Sequence, residues 1–183
     1  MAFPHSEGWR PLRRVEFNQL AALGAFQDER IELLDGELVR MTPPNPPHGD
    51  TIEKLQTLLT VRLVGRARVR GQLPFAAGDL SQPEPDIAVL PLGGKRAVHP
   101  DRAHLLIEVS DSSLAQDRGQ KARLYSECGV PEYWVCNLVD SVVEVHREPS
   151  ASGYHRVSRH ELGSRIAPEA FPDVDILVDE FLT

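Results

Sequence analysis

Apolar residues recur at helical spacing in three stretches of the chain, and this pattern predicts three helices. Residues 15–23 (VEFNQLAAL) suit a short first helix with an acid in its first turn. Residues 50–67 predict a longer helix, for which Asp50 or Thr51 is available as the N-cap. Four of its apolar side chains fall on one face: Ile52, Leu55, Leu59 and Leu63. The third predicted helix spans residues 112–129.

Short apolar or alternating segments, bounded by Gly, Pro and charged residues, predict strands between and after these helices. A turn at Asp35–Gly36 divides residues 30–41 (RIELLDGELVRM) into a helix end or strand and a following strand. The further predicted strands are residues 68–80, 85–92, 103–110, 132–138 and 141–148. A hairpin extension at residues 149–157 and a C-terminal element at residues 172–182 complete the predicted order.

This order of elements predicts an α/β (α+β) fold in which helices flank a mixed central β-sheet. The chain has 183 residues, of which 41% are hydrophobic, and this supports one domain with a sizeable core. We therefore expect a single domain over residues 1–183, with its core at residues 15–148 and a C-terminal extension at residues 149–183.

The sequence gives no sign of a membrane-bound or secreted protein. No run approaches the roughly 18 consecutive apolar residues that a transmembrane helix needs. The first ten residues (MAFPHSEGWR) lack the charged and then apolar layout of a secretory signal. Cys128 and Cys136 show no CxxC spacing, so buried free thiols are expected rather than a zinc or redox site. We expect a cytoplasmic protein without membrane contact.

The net charge of -7 counts weakly against non-specific binding of nucleic acid, because domains that coat phosphates are usually basic. Four arginines nonetheless gather in residues 62–70 (RLVGRARVR): Arg62, Arg66, Arg68 and Arg70. Arginines that end a helix and border a strand more often form a solvated face. A local basic patch stays open as the alternative.

Two of the predicted strands each carry a single acid, Asp86 at the start of one and Glu108 near the end of the next. These strands are too apolar to face solvent on both sides, so we expect the acids to point from the edge of the sheet into a cleft. A buried carboxylate must be paired, hydrogen-bonded, protonated or bound to metal. Two converging carboxylates suit Mg²⁺, although each acid could also end its strand in solvent or pair with an arginine.

The third predicted helix places a lysine where an apolar side chain would be expected. One stripe at helical spacing contains Leu114, Arg118, Lys121, Tyr125 and Cys128. Lys121 is therefore predicted to point inward and to seek a carboxylate near Glu108. The plainer alternative is a weak surface bridge from Lys121 to Asp117, four residues earlier.

At this point the chain resembles a known family. The run PDIAVL, followed by LLIEVSDSSLAQDRGQKARLYSECGVPEYWVCNL, is similar to the Uma-type restriction endonucleases, a branch of the PD-(D/E)XK nuclease superfamily. Two earlier pieces, IELLDGELVRM and PPNPPHGDTI, fit as well, so the resemblance covers Glu32 to Arg147. The long second run is the specific part of the match.

The resemblance implies a restriction endonuclease-like fold and Mg²⁺-dependent hydrolysis of nucleic acid, with DNA as the expected substrate and Mn²⁺ as a substitute ion. By resemblance, Asp86, Glu108 and the Val109 carbonyl bind the metal. The chain departs from the simplest Glu-x-Lys motif, because Ser110 stands where lysine would be. The matching lysine is Lys121 on the following helix, where it would orient the attacking water or stabilise developing charge.

The resemblance also suggests Glu32, in the first helical segment, and His48, in the Pro-rich loop, as supporting residues near the cleft. The plainer roles stay open, with Glu32 as a surface acid and His48 as a cap of the helix near Asp50. Glu84 is either a further ligand, on the same face as Asp86 if that strand extends so far, or a solvated acid. Ser110 is expected either to hydrogen-bond the site or to have a capping or surface role.

A homodimer presenting two sites to a duplex is a possible assembly, suggested through the fold family alone. Two alternatives to an active nuclease remain. One is a catalytically inactive binding or regulatory module on the nuclease fold. The other is a structural protein in which the acids and the lysine form an ion-pair network, so that removal of one partner destabilises the fold.

Overall fold

The computed structural model describes residues 8, 10–94 and 97–183. Most of the N-terminal stretch that was examined for a secretory signal lies outside these residues. One compact unit lies within Met1–Pro43 and Ala76–Pro83, and the second comprises Pro44–Phe75 and Glu84–Thr183. No helix in the described part of the chain is long and apolar enough to cross a membrane.

The first unit contains a helix and a β-hairpin. Helix α1 spans Arg14–Ala22, and strand β1 (Ile31–Leu34) pairs antiparallel with β2 (Glu37–Arg40). Asp35 and Gly36 join the two strands with φ angles of 53° and 82°. A two-residue hairpin turn needs two such left-handed residues, so the predicted turn forms between two strands.

The second unit is built on a six-stranded sheet. Its strands are β3 (Arg68–Gly71), β4 (Ile87–Leu90), β5 (Leu105–Ser110), β6 (Glu132–Asn137), β7 (Val142–Ser150) and β8 (Gly153–Glu161). They lie in the order β3-β4-β5-β6-β7-β8; β5 and β6 are parallel, and the other neighbours are antiparallel. The predicted mixed sheet with flanking helices is confirmed.

Helix α2 corresponds to the second predicted helix, but it begins earlier than predicted. It spans Pro46–Arg62, and Asn45 is its N-cap, with a side-chain oxygen that accepts the His48 N–H at 3.1 Å. Two prolines occupy the first helical turn, where their missing N–H groups cost no hydrogen bond. The predicted N-caps Asp50 and Thr51 therefore lie inside the helix, and the Pro-rich stretch is its beginning.

The helical segment that connects β5 to β6 has three parts, which are α3 (Leu114–Gln116), a π-helical turn (Asp117–Lys121) and α4 (Ala122–Glu127). It forms the crossover between the two parallel strands, as such a connection usually does. Two further short strands, β9 (Arg165–Ile166) and β10 (Ile176–Leu177), pair near the C-terminus.

The two faces of the six-stranded sheet differ in chemistry. One face packs its apolar side chains with α2 and the C-terminal residues into the main core, including Ile107 and Trp134. The opposite face is called the polar face below, and its residues alternate with the core-facing residues along each strand. It carries Leu106, Glu108, Ser110, Tyr133, Val135, Glu144 and His146. Tyr133 on the polar face and Trp134 on the core face are both fully buried.

Candidate active site

Asp86 and Glu108 lie side by side on neighbouring strands. Ile87 of β4 faces Ile107 of β5, so one step further along the register Asp86 faces Glu108. Facing residues of antiparallel strands have Cβ atoms about 4.5–5.5 Å apart, with side chains on the same face. Both acids lie toward the same end of the sheet, where β4 begins and β5 ends, although neither belongs to an edge strand.

The Asp86 side chain is held from three directions. Its Oδ2 accepts the backbone N–H of Val109 at 2.8 Å and lies 3.3 Å from Nε2 of His48. Its Oδ1 lies 3.4 Å from Nε2 of Gln72. Asp86 is buried, so these polar neighbours offset much of the cost of removing a carboxylate from water.

Glu108 forms a buried contact with a lysine. The Lys121 ammonium donates to Oε1 of Glu108 at 3.1 Å, and the Tyr125 hydroxyl donates to the same oxygen at 2.7 Å. Glu108 and Lys121 are only 3% and 5% exposed. The prediction of an inward-pointing Lys121 is therefore confirmed.

The π-helical turn Asp117–Lys121 determines which side chains reach Glu108. Lys121 ends this turn, and Tyr125 lies one turn later on the same face. Arg118 belonged to the predicted stripe but donates instead to Glu144, because the wider π turn breaks regular helical spacing. Such turns occur frequently at functional sites.

Asp117 is a second buried acid beside Lys121. Its Oδ2 accepts the hydroxyl groups of Ser110 at 2.8 Å and Ser113 at 2.6 Å, and its Oδ1 lies 3.9 Å from the Lys121 ammonium. Burial raises the pKa of Asp117, although Lys121 and the two serines act in the opposite direction. The alternative of a surface bridge is wrong, since Asp117 is 2% exposed.

The Tyr133 hydroxyl interacts electrostatically with the three buried acids Asp117, Glu108 and Asp86. It donates to the backbone carbonyl of Asp117 at 3.2 Å. Burial raises its pKa well above the ordinary value, and the negative charges of Asp117, Glu108 and Asp86 raise it further. The Tyr133 phenol therefore stays neutral and serves as a hydrogen-bond donor in the floor of the site.

The structure corrects the placement of two supporting candidates. Glu32 lies on β1 in the first unit, not in a helical segment, and it is buried rather than a surface acid. Glu84 is half-buried and precedes β4, which begins at Ile87, so it shares no strand with Asp86. Glu84 and Asp86 therefore do not lie on one face of a common strand, as the role of Glu84 as a ligand had assumed.

Two other candidates lie close to the acids. Ser110 is fully buried and donates to Asp117, which agrees with the hydrogen-bonding role and not with a cap. His48 lies in the first turn of α2, and its ring approaches Asp86. The suggested role of His48 as a cap is wrong, because Asn45 is the N-cap.

Two residues that contact the acids were not predicted as site residues. Tyr125 was signalled by the helical stripe, since it follows Lys121 by four positions. Gln72 has no comparable signal, because its position depends on a left-handed backbone with φ of 47° directly after β3. Non-glycine residues adopt this conformation rarely, and strained backbone tends to occur at functional sites.

The donor atoms at this site are suited to a hard divalent cation. The carboxylates of Asp86 and Glu108 and the Val109 carbonyl supply oxygen, which Mg²⁺ prefers over nitrogen or sulfur. Among the residues that the structure describes, no group of three His, Cys, Asp or Glu side chains is arranged to hold a metal. A cation here would therefore complete its shell with backbone oxygen and water, as Mg²⁺ commonly does.

Comparison with known proteins extends the resemblance over most of the chain. A solved structure described as "a putative nuclease belonging to DUF820" from Anabaena variabilis matches with a TM-score of 0.75 and 16% identity. The match covers 94% of this chain and 98% of that chain, and it supports the α/β fold. No curated protein matches the chain. The family described as "Uma2: Putative restriction endonuclease" matches residues 14–179, and the chain therefore belongs to the Uma2 family.

Proposed function

We propose that this protein is a Mg²⁺-dependent endonuclease that hydrolyses phosphodiester bonds of nucleic acid, with DNA as the substrate. One observation carries the proposal, which is the buried contact of Lys121 with Glu108 beside Asp86. Membership of the Uma2 family supports the same activity. A buried lysine that contacts one of two acids on facing strand positions is an arrangement that phosphodiester chemistry can use.

The four residues of this proposal have two kinds of role. Asp86, Glu108 and the Val109 carbonyl would hold the ion, which neutralises phosphate charge and lowers the pKa of a bound water. The Lys121 ammonium stabilises the negative charge that develops on the phosphate. Because Lys121 is buried, its charge acts in surroundings of low dielectric constant, where it has more effect than in water.

The surrounding groups fix the positions of these side chains. Tyr125 donates to the same oxygen of Glu108 as Lys121 does, which restricts the rotation of that carboxylate. His48 and Gln72 flank Asp86. These are positioning residues, and their replacement should weaken activity less than replacement of the three central residues.

Metal binding and DNA nicking, measured on the same samples, test the proposal. Mn²⁺ and Mg²⁺ are titrated calorimetrically into wild type, Asp86→Ala, Glu108→Ala and Lys121→Ala, and nicking of supercoiled plasmid is followed in parallel. We expect each substitution to abolish nicking, and the two acid substitutions also to abolish metal binding. Lys54→Ala is the control, because Lys54 is a partly exposed lysine that pairs with Asp50 on α2.

A binding module without catalysis is the alternative function. The observation in its favour is that the carboxylates of Asp86 and Glu108 already have protein partners, namely Val109 and Lys121. Such a module would bind nucleic acid without nicking it at any concentration of Mg²⁺ or Mn²⁺. A wild-type chain that binds neither metal would count against the endonuclease.

A further inference from the structure

The four arginines in residues 62–70 differ in whether they form an ion pair within the described part of the chain. Arg62 pairs with Glu180 at 2.7 Å, and Arg66 pairs with Asp173 at 2.6 Å. Their charges are therefore largely neutralised within the protein. Most other arginines of the second unit also contact an acid: Arg118, Arg123, Arg147, Arg156, Arg159 and Arg165.

Arg68 and Arg70 differ from these arginines. Arg68 donates to the carbonyl of Pro91 at 3.1 Å, and within the described part of the chain it forms no ion pair. Arg70 has neither a hydrogen-bonded side-chain partner nor an ion-pair partner among the described residues. Burial and the neighbouring charge of Arg68 lower the pKa of Arg70. A partly desolvated guanidinium without an acid is unusual in a chain with a net charge of -7.

Both arginines lie on the polar face of the sheet. Val69, between them, packs against the main core, so the side chains of Arg68 and Arg70 belong to the opposite face. They occupy β3, an edge strand of the sheet. An edge position leaves a guanidinium accessible to a large ligand in a way that an interior strand does not.

The register places Arg70 next to the candidate active site. Arg70 faces Ala88 on β4, and Asp86 lies two residues before Ala88 on the same face. Two residues of a strand span about 6.7 Å, which is close to the rise of about two nucleotides along one strand of a duplex. A phosphate bound by Arg70 would therefore lie near one that is bound at Asp86 and Glu108.

We propose that Arg70, assisted by Arg68, binds a backbone phosphate of the nucleic acid within about two nucleotides of the phosphate that is cleaved. This inference rests on the proposed function and adds a substrate-contacting site on β3. The planar guanidinium matches the geometry of a phosphate, and its charge would be neutralised only when the substrate is bound. Two arginines without an ion pair among the described residues would thereby lie beside the candidate active site of an acidic chain.

The dependence of binding on salt tests this site. Binding of the full chain to a labelled DNA duplex is measured by fluorescence anisotropy in EDTA, so that no strand is cut, over a series of salt concentrations. The slope of log K against log salt changes by about 0.9 for each lost phosphate contact on duplex DNA and about 0.7 on single strands. We expect Arg70→Gln to make the slope less negative by about this amount and to weaken binding roughly tenfold at low salt.

Arg66→Gln is the matched control, because it removes the same charge from the same cluster but from an arginine already paired with Asp173. We expect its slope to equal that of wild type. Arg70→Gln should also unfold no earlier than wild type, since it removes a partly desolvated charge without breaking an ion pair. A loss of thermal stability would indicate a structural role for Arg70 instead.

The outcomes separate this inference from the proposed function. If Arg70→Gln and Arg66→Gln have the same slope while the wild type cleaves plasmid, the phosphate site is refuted and the endonuclease stands. If binding depends on Arg70 but no metal ion supports cleavage, the phosphate site stands and the endonuclease is refuted. A wild-type chain that neither binds nor cleaves DNA overturns both.

Discussion

Lys121 contributes to the site through its partners and not through contact with solvent. Its ammonium contacts Glu108 at 3.1 Å and lies 3.9 Å from Asp117, and all three side chains are buried. A buried ion pair is weak evidence for stability as such, because desolvation offsets most of its attraction. Removal of one partner is costly, however, since it leaves an uncompensated charge.

We therefore expect Lys121→Met to destabilise the fold by about 3–5 kcal/mol at neutral pH, since it leaves Glu108 without its cation. The double variant Glu108→Gln, Lys121→Met should recover much of this loss and still be inactive. Urea unfolding followed by circular dichroism measures the stabilities, and plasmid nicking measures the activity. A double variant as unstable as Lys121→Met would contradict the pairing. Lys54→Met, at a partly exposed lysine, should change stability by less than about 1 kcal/mol.

Asp117 should give stability a characteristic dependence on pH. Burial raises its pKa in the folded chain, so the folded state holds the Asp117 proton more tightly than the unfolded state does. Its contribution to stability is therefore present at low pH and is lost as the pH rises through the folded pKa. Asp117→Asn keeps an oxygen acceptor for the two serines and removes this loss.

The stability of Asp117→Asn relative to wild type should accordingly increase as the pH rises from about 4 to about 8. Urea unfolding at several pH values measures this difference. The exposed Asp101→Asn serves as control and should show no such trend. A difference that stays constant with pH would show that Asp117 has the same pKa in both states.

The helical segment between β5 and β6 carries Asp117, Lys121 and Tyr125, and substitutions of its two glycines should have opposite effects on stability. Gly119 lies in the π turn with a negative φ, and a Cβ there would meet nothing within 4 Å. Gly119→Ala should therefore stabilise the protein by about 0.5–1 kcal/mol without loss of activity. Gly129 has equal space but a φ of +71°, so Gly129→Ala should destabilise it by about 1 kcal/mol. Thermal unfolding of the pair measures the difference, and the same sign for both would refute the explanation from φ.

The sequence predicted this region well where periodicity determines the structure. The alternation along the strands and the helical stripe were enough to bring Glu108 and Lys121 together. The π turn was not predictable, because it differs from an α-helix by one residue and follows from packing around Asp117. Gln72 was not predictable either, since its side chain reaches Asp86 only through a left-handed backbone and the register of β3 with β4. The start of α2 was missed although its signal, Asn45 before two prolines, is present in the sequence.

The whole chain has a net charge of -7, and the proposed function adds a site that binds a cation. If Asp86 and Glu108 hold a divalent ion in the folded chain alone, that ion must stabilise folding by mass action. The temperature of half-unfolding should rise with added Mn²⁺, corresponding to about 2.7 kcal/mol at a concentration 100 times the dissociation constant. Asp86→Asn should lose this response and Asp101→Asn should keep it. Equal responses in all three proteins would place the ion elsewhere.

The two edges of the six-stranded sheet are the places where another chain could pair. Strand β8 is a nine-residue edge strand with a largely exposed surface, on which Val157 is 55% exposed. Charged neighbours such as Arg156 and Arg159 discourage strand pairing at this edge. The homodimer stays a prediction, and sedimentation equilibrium of the wild-type chain tests it.

The single parallel pair of the six-stranded sheet has a consequence for the order of folding. Strand β6 can align beside β5 only after the chain between them has crossed over the sheet, and this crossover carries Lys121 toward Glu108. Only 13 residues separate the two charges, so the loop that closes is short and its entropic cost is small. We therefore expect the ion pair to form in the same event that docks β6. Its removal should slow the folding arm of a chevron plot as well as speed unfolding, which makes the candidate catalytic centre part of the folding nucleus.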